Sequence, residues 1–78
     1  MTELFIRFKN GRAIHGFFEY KTIGQTFYYN GYVRAKNSYN EEIGFSDLSD
    51  IKLIASRDPG DTMWSKVYSP DESVDVTL

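Results

Sequence analysis

Apolar and polar residues alternate along Leu4-Phe5-Ile6-Arg7-Phe8 and again along Ala13-Ile14-His15-Gly16-Phe17-Phe18, on either side of Asn10-Gly11. Period-two alternation around an Asn-Gly pair predicts two strands joined as a β-hairpin. The apolar positions also select the turn. A two-residue loop at Asn10-Gly11 pairs Lys9 with Arg12 and puts Ile14 and Phe18 on the face of Arg7 and Lys9. A three-residue loop, Lys9-Asn10-Gly11 with Gly11 in the left-handed region, pairs residues of equal parity instead. Leu4, Ile6, Phe8, Ile14 and Phe18 then share one face with Gly16. Because a one-residue slip moves every side chain to the other face, burial selects the three-residue loop.

The second strand continues through Ile23 to a turn at Gly24-Gln25, and residues 26–36 are β-prone throughout. Asn30-Gly31 inside that stretch leaves two readings. Either it is one long strand bent at a Gly31 bulge, or 26–29 and 32–36 are two strands of a second hairpin. Eleven residues exceed the usual strand length in a small domain, which favours the hairpin. Asn37-Ser38-Tyr39-Asn40 reads as a loop, and Glu41–Phe45 and Ile51–Ile54 as strands around a 3₁₀ turn at residues 46–50. Asp58-Pro59-Gly60-Asp61 is a turn, and Met63–Tyr68 adds a last strand. From Pro70 the chain is polar and acidic, with Val74, Val76 and Leu78 at alternate positions, either loose or paired at a sheet edge. The expectation is an all-β fold: a small antiparallel, strongly bent sheet or SH3-like barrel of five to six strands with one short 3₁₀ turn. It spans residues 1–69, with an acidic tail over 70–78.

This layout resembles the SH3-like and Sm-like small β-barrels over roughly residues 4–54. The residues that carry the likeness are Ile6-Arg7-Phe8-Lys9-Asn10-Gly11-Arg12-Ala13-Ile14-His15-Gly16 and Ile43-Gly44-Phe45-Ser46-Asp47-Leu48-Ser49-Asp50-Ile51-Lys52-Leu53-Ile54. In those barrels a Lys-Asn-Gly hairpin is often followed by a glycine that lets the second strand bend, and a short turn leads into the closing strand. The likeness implies a fold and not an activity. The RNA-contacting loop signature of the Sm family is absent after Ile54, which weakens the transfer of RNA binding from the likeness.

Composition adds a core and removes most chemistry. Six Phe, six Tyr and one Trp in 78 residues supply the large side chains that a domain this small needs. There is no Cys, so neither a disulfide nor a thiolate metal site is available. No basic, apolar leader follows Met1 and no stretch has the apolar length of a membrane span, so a cytoplasmic protein that does not enter a membrane is expected. Net charge is −2, unevenly spread: eight basic against six acidic residues over 1–57, then Lys66 against five acidic residues. Neither part has the dense single-sign charge of a dedicated nucleic-acid binder.

The one histidine, His15, lies on the face opposite Ile14 and reads as a partly exposed strand residue. The turn at 58–61 lacks the alternating oxygen ligands of a calcium loop, and Asp47 and Asp50 read as turn and cap residues. No nucleophile elbow, phosphate loop or dinucleotide fingerprint is present, so no catalytic residue, metal or cofactor is assigned and an enzyme is not expected. Candidate function therefore lies on the surface. If Phe27, Tyr29, Val33 and Ala35 point inward, then Tyr28, Asn30, Tyr32 and Arg34 point outward, a tyrosine strip with a guanidinium on it. Phe5 and Phe17, with His15 between them, form a second outward strip. Two opposed aromatic faces are not expected both to be core, and Trp64 is expected to cover a barrel end.

These features favour a non-catalytic module that binds another protein, or another copy of itself, through Tyr28, Tyr32, Arg34, Phe5 and Phe17. In style the chain resembles the small accessory proteins of bacteriophages and mobile elements, including inhibitors of the anti-CRISPR type: short, without catalytic residues, rich in aromatic and acidic residues. That likeness implies a host nucleic-acid-handling complex as partner. The acidic residues Asp71, Glu72 and Asp75 would then stand with the tyrosines where nucleic acid normally binds. The alternatives are an Sm-like or cold-shock-like single-stranded nucleic-acid binder using Tyr28, Tyr32, Arg34 and Lys36, and a structural subunit of an oligomer.

Overall fold

A computed structural model describes residues 1–33 and 40–71, with residues 40–43 described by their backbone. Its elements in chain order are β1 (Thr2–Phe8), β2 (Ala13–Ile23), β3 (Thr26–Val33), β4 (Asn40–Asp47), a 3₁₀ turn (Leu48–Asp50), β5 (Ile51–Arg57) and β6 (Ser65–Tyr68). All six strands belong to one antiparallel sheet in the order β4-β3-β2-β1-β5-β6. The fold is therefore all-β, a bent sheet whose two edge strands, β4 and β6, do not pair with each other.

The first hairpin has the three-residue loop that burial demands. Ile6 faces Ile14 and Leu4 faces Gly16, Phe8 N–H donates to Arg12 O at 2.8 Å, and Gly11 closes the loop at φ 91°. That positive φ is left-handed backbone, which a side chain rarely tolerates. Leu4, Ile6, Phe8, Ile14 and Phe18 all point to the core, as the alternation requires. At Gly24-Gln25 the chain turns directly from Ile23 to Thr26, again with the glycine at positive φ.

The second Asn-Gly behaves differently, and the expected hairpin at 30–31 is corrected. β3 runs unbroken from Thr26 through Asn30-Gly31 to Val33 and pairs along its length with β2. Gly31 is not at positive φ; a Cβ there would lie 2.0 Å from the Phe17 carbonyl oxygen. The glycine thus permits a close strand crossing rather than a turn. A bulge does sit beside it, on β4, where the register slips by one residue between Tyr29 and Gly31. Of the loop expected at 37–40, Asn40 instead opens β4, and the rest lies outside the described residues, as do Arg34, Ala35 and Lys36.

One core cluster unites Phe27, Tyr29 and Val33 of β3 with Ile51 and Ile54 of β5. In a flat sheet those strands stand three spacings apart, about 14 Å. Without a helix to cover one face, the sheet buries that face only by curling upon itself. The curl brings β6 round to the 3₁₀ turn, where the Tyr68 hydroxyl donates to Leu48 O at 3.3 Å, and both side chains pack against the core. The 3₁₀ turn is fixed by Asp47, whose Oδ1 accepts from Ser49 N–H at 2.9 Å, and by Asp50 O, which accepts from Lys9 N–H at 2.9 Å. The 58–61 turn is likewise present, with Asp61 N–H donating to Asp58 O at 3.0 Å.

Candidate functional site

The outer, convex face has two halves of different character. On the β1–β5 half, Glu3, Phe5 and Arg7 alternate outward. Glu3 is only 6 % exposed, yet its carboxylate is well satisfied. Arg57 donates from Nε to Oε1 at 3.0 Å and from Nη2 to Oε2 at 2.9 Å, a two-pronged ion pair. His15 Nε2 stands 2.7 Å from Oε2, and since a carboxylate only accepts, that nitrogen carries the proton. The Arg57 contacts, helped by His15 and opposed by burial, hold the Glu3 carboxyl below its ordinary pKa.

Trp64 closes this half. The Arg57 guanidinium lies 4.4 Å from its ring centroid, and the His15 ring meets it edge-on at 5.6 Å. The expectation that Trp64 covers a barrel end is corrected: it sits on the convex face over the ion pair. Phe5 is corrected too. It is on the predicted face, but it is 5 % exposed, edge-on to His15 with the Arg7 guanidinium over its ring, and Ala55 opposite it in β5, like Leu53 opposite Arg7, is wholly buried. Both faces of the sheet therefore bury aromatic rings, contrary to expectation, because a Trp-capped polar cluster gives the convex face a second layer. The Phe5 ring is thus largely covered within the chain.

The β2–β3–β4 half is open. Phe27, Tyr29 and Val33 are buried as predicted, and Tyr28, Asn30 and Tyr32 face outward, with Tyr32 54 % exposed. Phe17 stands opposite Tyr32 and is 36 % exposed. Lys21 and Phe45 flank Tyr28 in the neighbouring strands, with Lys21 Nζ 5.8 Å from the Tyr28 ring centroid and Phe45 71 % exposed. Ile23, also on this face, is 58 % exposed. The structure thus places Tyr28, Tyr32 and Phe17 on the open half, while Phe5 is buried on the other half. Asp71 is exposed, and its backbone oxygen accepts from the Ser69 hydroxyl at 2.6 Å. Arg34, Glu72 and Asp75 lie outside the described residues.

Sequence reasoning missed Phe45 and the Glu3–Arg57 pair. Phe45 becomes an outward residue only once β4 is known to pair with β3 in the register that sets it opposite Tyr28. Glu3 has the parity of His15 in the hairpin register, a usable signal. Arg57 needs the β1–β5 register, which slips by one residue at Arg7/Phe8.

A cleft of about 810 Å³ opens at the turn end of the sheet, with Lys9 and Arg12 on one side and Phe45, Asp47 and Asp50 on the other. Its charges are of both signs, and Asp47 is committed to the cap, which lowers its pKa through the Ser49 hydrogen bond. Among the described residues no three His, Asp or Glu side chains gather so as to hold a metal ion, and no helix is long and apolar enough to cross a membrane. The chain matches no protein-family model, no curated protein and no solved structure.

Proposed function

We propose that this chain is a non-catalytic protein-binding module whose working surface is the open half of the convex face, Tyr28, Tyr32, Phe17, Phe45 and Lys21. The observation that carries the reading is the division of that face. One half is sealed by Trp64 over a paired, buried carboxylate, while the other leaves Tyr32 54 % and Phe45 71 % exposed on a rigid sheet. Contiguous exposed rings on one face are uncommon in a monomer and mark interaction surfaces. Tyr supplies much contact area at little cost in side-chain entropy, which makes it a preferred anchor.

The process is that of a phage or mobile-element inhibitor acting on a host nucleic-acid-handling defence complex, of the anti-CRISPR type, in the host cytoplasm. A net charge of −2 and exposed acids at Asp58, Asp61 and Asp71 support a partner surface that is itself basic. The test is capture of partners from a bacterial lysate by tagged wild type and by Tyr32→Ala, with and without nuclease. A stoichiometric protein retained after nuclease and lost with Tyr32→Ala is the expected result. Capture that vanishes with nuclease and leaves RNA or DNA in the untreated sample overturns the reading in favour of a nucleic-acid binder.

A further inference from the structure

The open face has a chemical sense across the strands that is complementary to itself. Lys21, Tyr28 and Phe45 stand directly opposite one another on β2, β3 and β4, forming a single row. A cation ends the row on one side and an exposed ring on the other, with Tyr28 at the centre. Along β3, Tyr28, Asn30 and Tyr32 form the perpendicular line. A two-fold axis lying in the interface and parallel to β3 reverses the row and leaves that line in place. Each Lys21 then meets Phe45 of the other copy, a cation–π contact made twice. Tyr28 and Tyr32 meet their own counterparts, and Asn30 meets an identical amide, which carries both donor and acceptor.

We infer that a second copy of this chain docks on the open convex face, giving a two-fold dimer in which the two sheets meet along β3. The inference rests on the reading of this face as protein-binding, and a second copy seated there competes with the captured partner for the same rings. Area agrees with it. Phe17, Ile23, Tyr32 and Phe45, exposed by 36 % to 71 %, offer roughly 400 Å² of apolar surface on the scale of 150–250 Å² per ring. Glu19, Lys21, Tyr28 and Asn30 bring the face to the order of the ~800 Å² per partner of a standard interface. Charge agrees as well: among the residues of the face whose side chains are described, Glu19 and Lys21 balance each other.

Sedimentation equilibrium of wild type, Phe45→Glu and Lys21→Ala decides the matter, with circular dichroism confirming the fold of each variant. The expected result is twice the chain mass for wild type, the single chain mass for Phe45→Glu, and about a tenfold weaker dimer for Lys21→Ala, from two lost cation–π contacts. If Phe45→Glu unfolds, Lys21→Ala carries the test, since among the described residues its exposed side chain makes only the ring contact with Tyr28. A wild type of single chain mass up to about 100 μM overturns the dimer, as does a dimer indifferent to both substitutions. A monomeric wild type that still loses a captured protein on Tyr32→Ala removes the second copy and leaves the protein-binding function standing. A dimer indifferent to the face variants, with capture unchanged by Tyr32→Ala, removes both.

Discussion

Glu3 concentrates the polar energetics of the fold in one side chain. It is buried beside Phe5 on the convex face, and Arg57 and His15 stabilise it there with three hydrogen bonds to its two oxygens. Removing the carboxylate leaves the Arg57 guanidinium without its counter-charge and the His15 N–H without its acceptor. Because Arg57 and His15 keep 22 % and 25 % of their side-chain surface in water, part of that cost is screened. Glu3→Gln should therefore destabilise by about 2 kcal/mol at neutral pH in a urea titration. The pH dependence has a definite sign. The folded-state pKa of Glu3 lies below its ordinary value of 4.5, so the unfolded chain binds the proton more readily. The stabilisation is complete above pH 4.5 and is lost as the pH falls through the lower folded value. The gap between wild type and Glu3→Gln should thus be widest above about pH 5 and close on acidification. Gly31 is the steric counterpart. With the Phe17 carbonyl oxygen 2.0 Å from any added Cβ, Gly31→Ala forces β2 and β3 apart and should cost about 3 kcal/mol by the same titration.

At the scale of elements, each turn rests on one backbone conformation. Gly11→Val places a β-branched residue at φ 91° and should destabilise by about 2 kcal/mol in thermal unfolding, with Asn10→Ala much milder. Asn10 Oδ1 only accepts from Arg12 N–H at 2.9 Å on the surface. This hairpin was legible because two independent signals agree on it: Asn-Gly marks the turn, and the parity of Leu4, Ile6, Phe8, Ile14 and Phe18 selects the loop length. Asn30-Gly31 carries the same turn signal without that agreement. Phe27, Tyr29, Gly31 and Val33 keep one parity straight through it, which is the pattern of a single strand. The outward placement of Tyr28 and Tyr32 was legible for the same reason. What alternation within a strand does not contain is the pairing between distant strands. The register of β1 with β5 is set by Phe8 and Ile51 sharing the core across a bulge, and it alone brings Arg57 to Glu3. Phe45 likewise acquires Tyr28 from the β3–β4 register, and Trp64 acquires Arg57 and His15 across the sheet, not from the residues beside them.

For the molecule as a whole, the curl separates folding from recognition on a single strand. β3 sends Phe27, Tyr29 and Val33 into the core and presents Tyr28 and Tyr32 to solvent, so one side can change without the other. Tyr32→Ala removes a ring more than half exposed, and surface substitutions of that kind stay within about 0.5 kcal/mol of wild-type stability. The same change at an interface anchor costs about 2 kcal/mol of binding, some thirtyfold in affinity. On the proposed protein-binding reading, a Tyr32→Ala protein that loses its partner and keeps its melting temperature is the expected outcome. Ionic strength then separates the possible partners. A face with Lys21 and Glu19 among aromatic rings gains its affinity from burial, so raising salt from about 50 to 200 mM should change binding less than tenfold. A face gripping several phosphates would lose roughly a thousandfold or more over that interval, because each contact releases a condensed counterion. Isothermal titration of the captured partner at both salt concentrations, with wild type and Tyr32→Ala side by side, measures both effects. A steep salt loss would move the working surface away from these rings and onto whatever cations neutralise a polyanion.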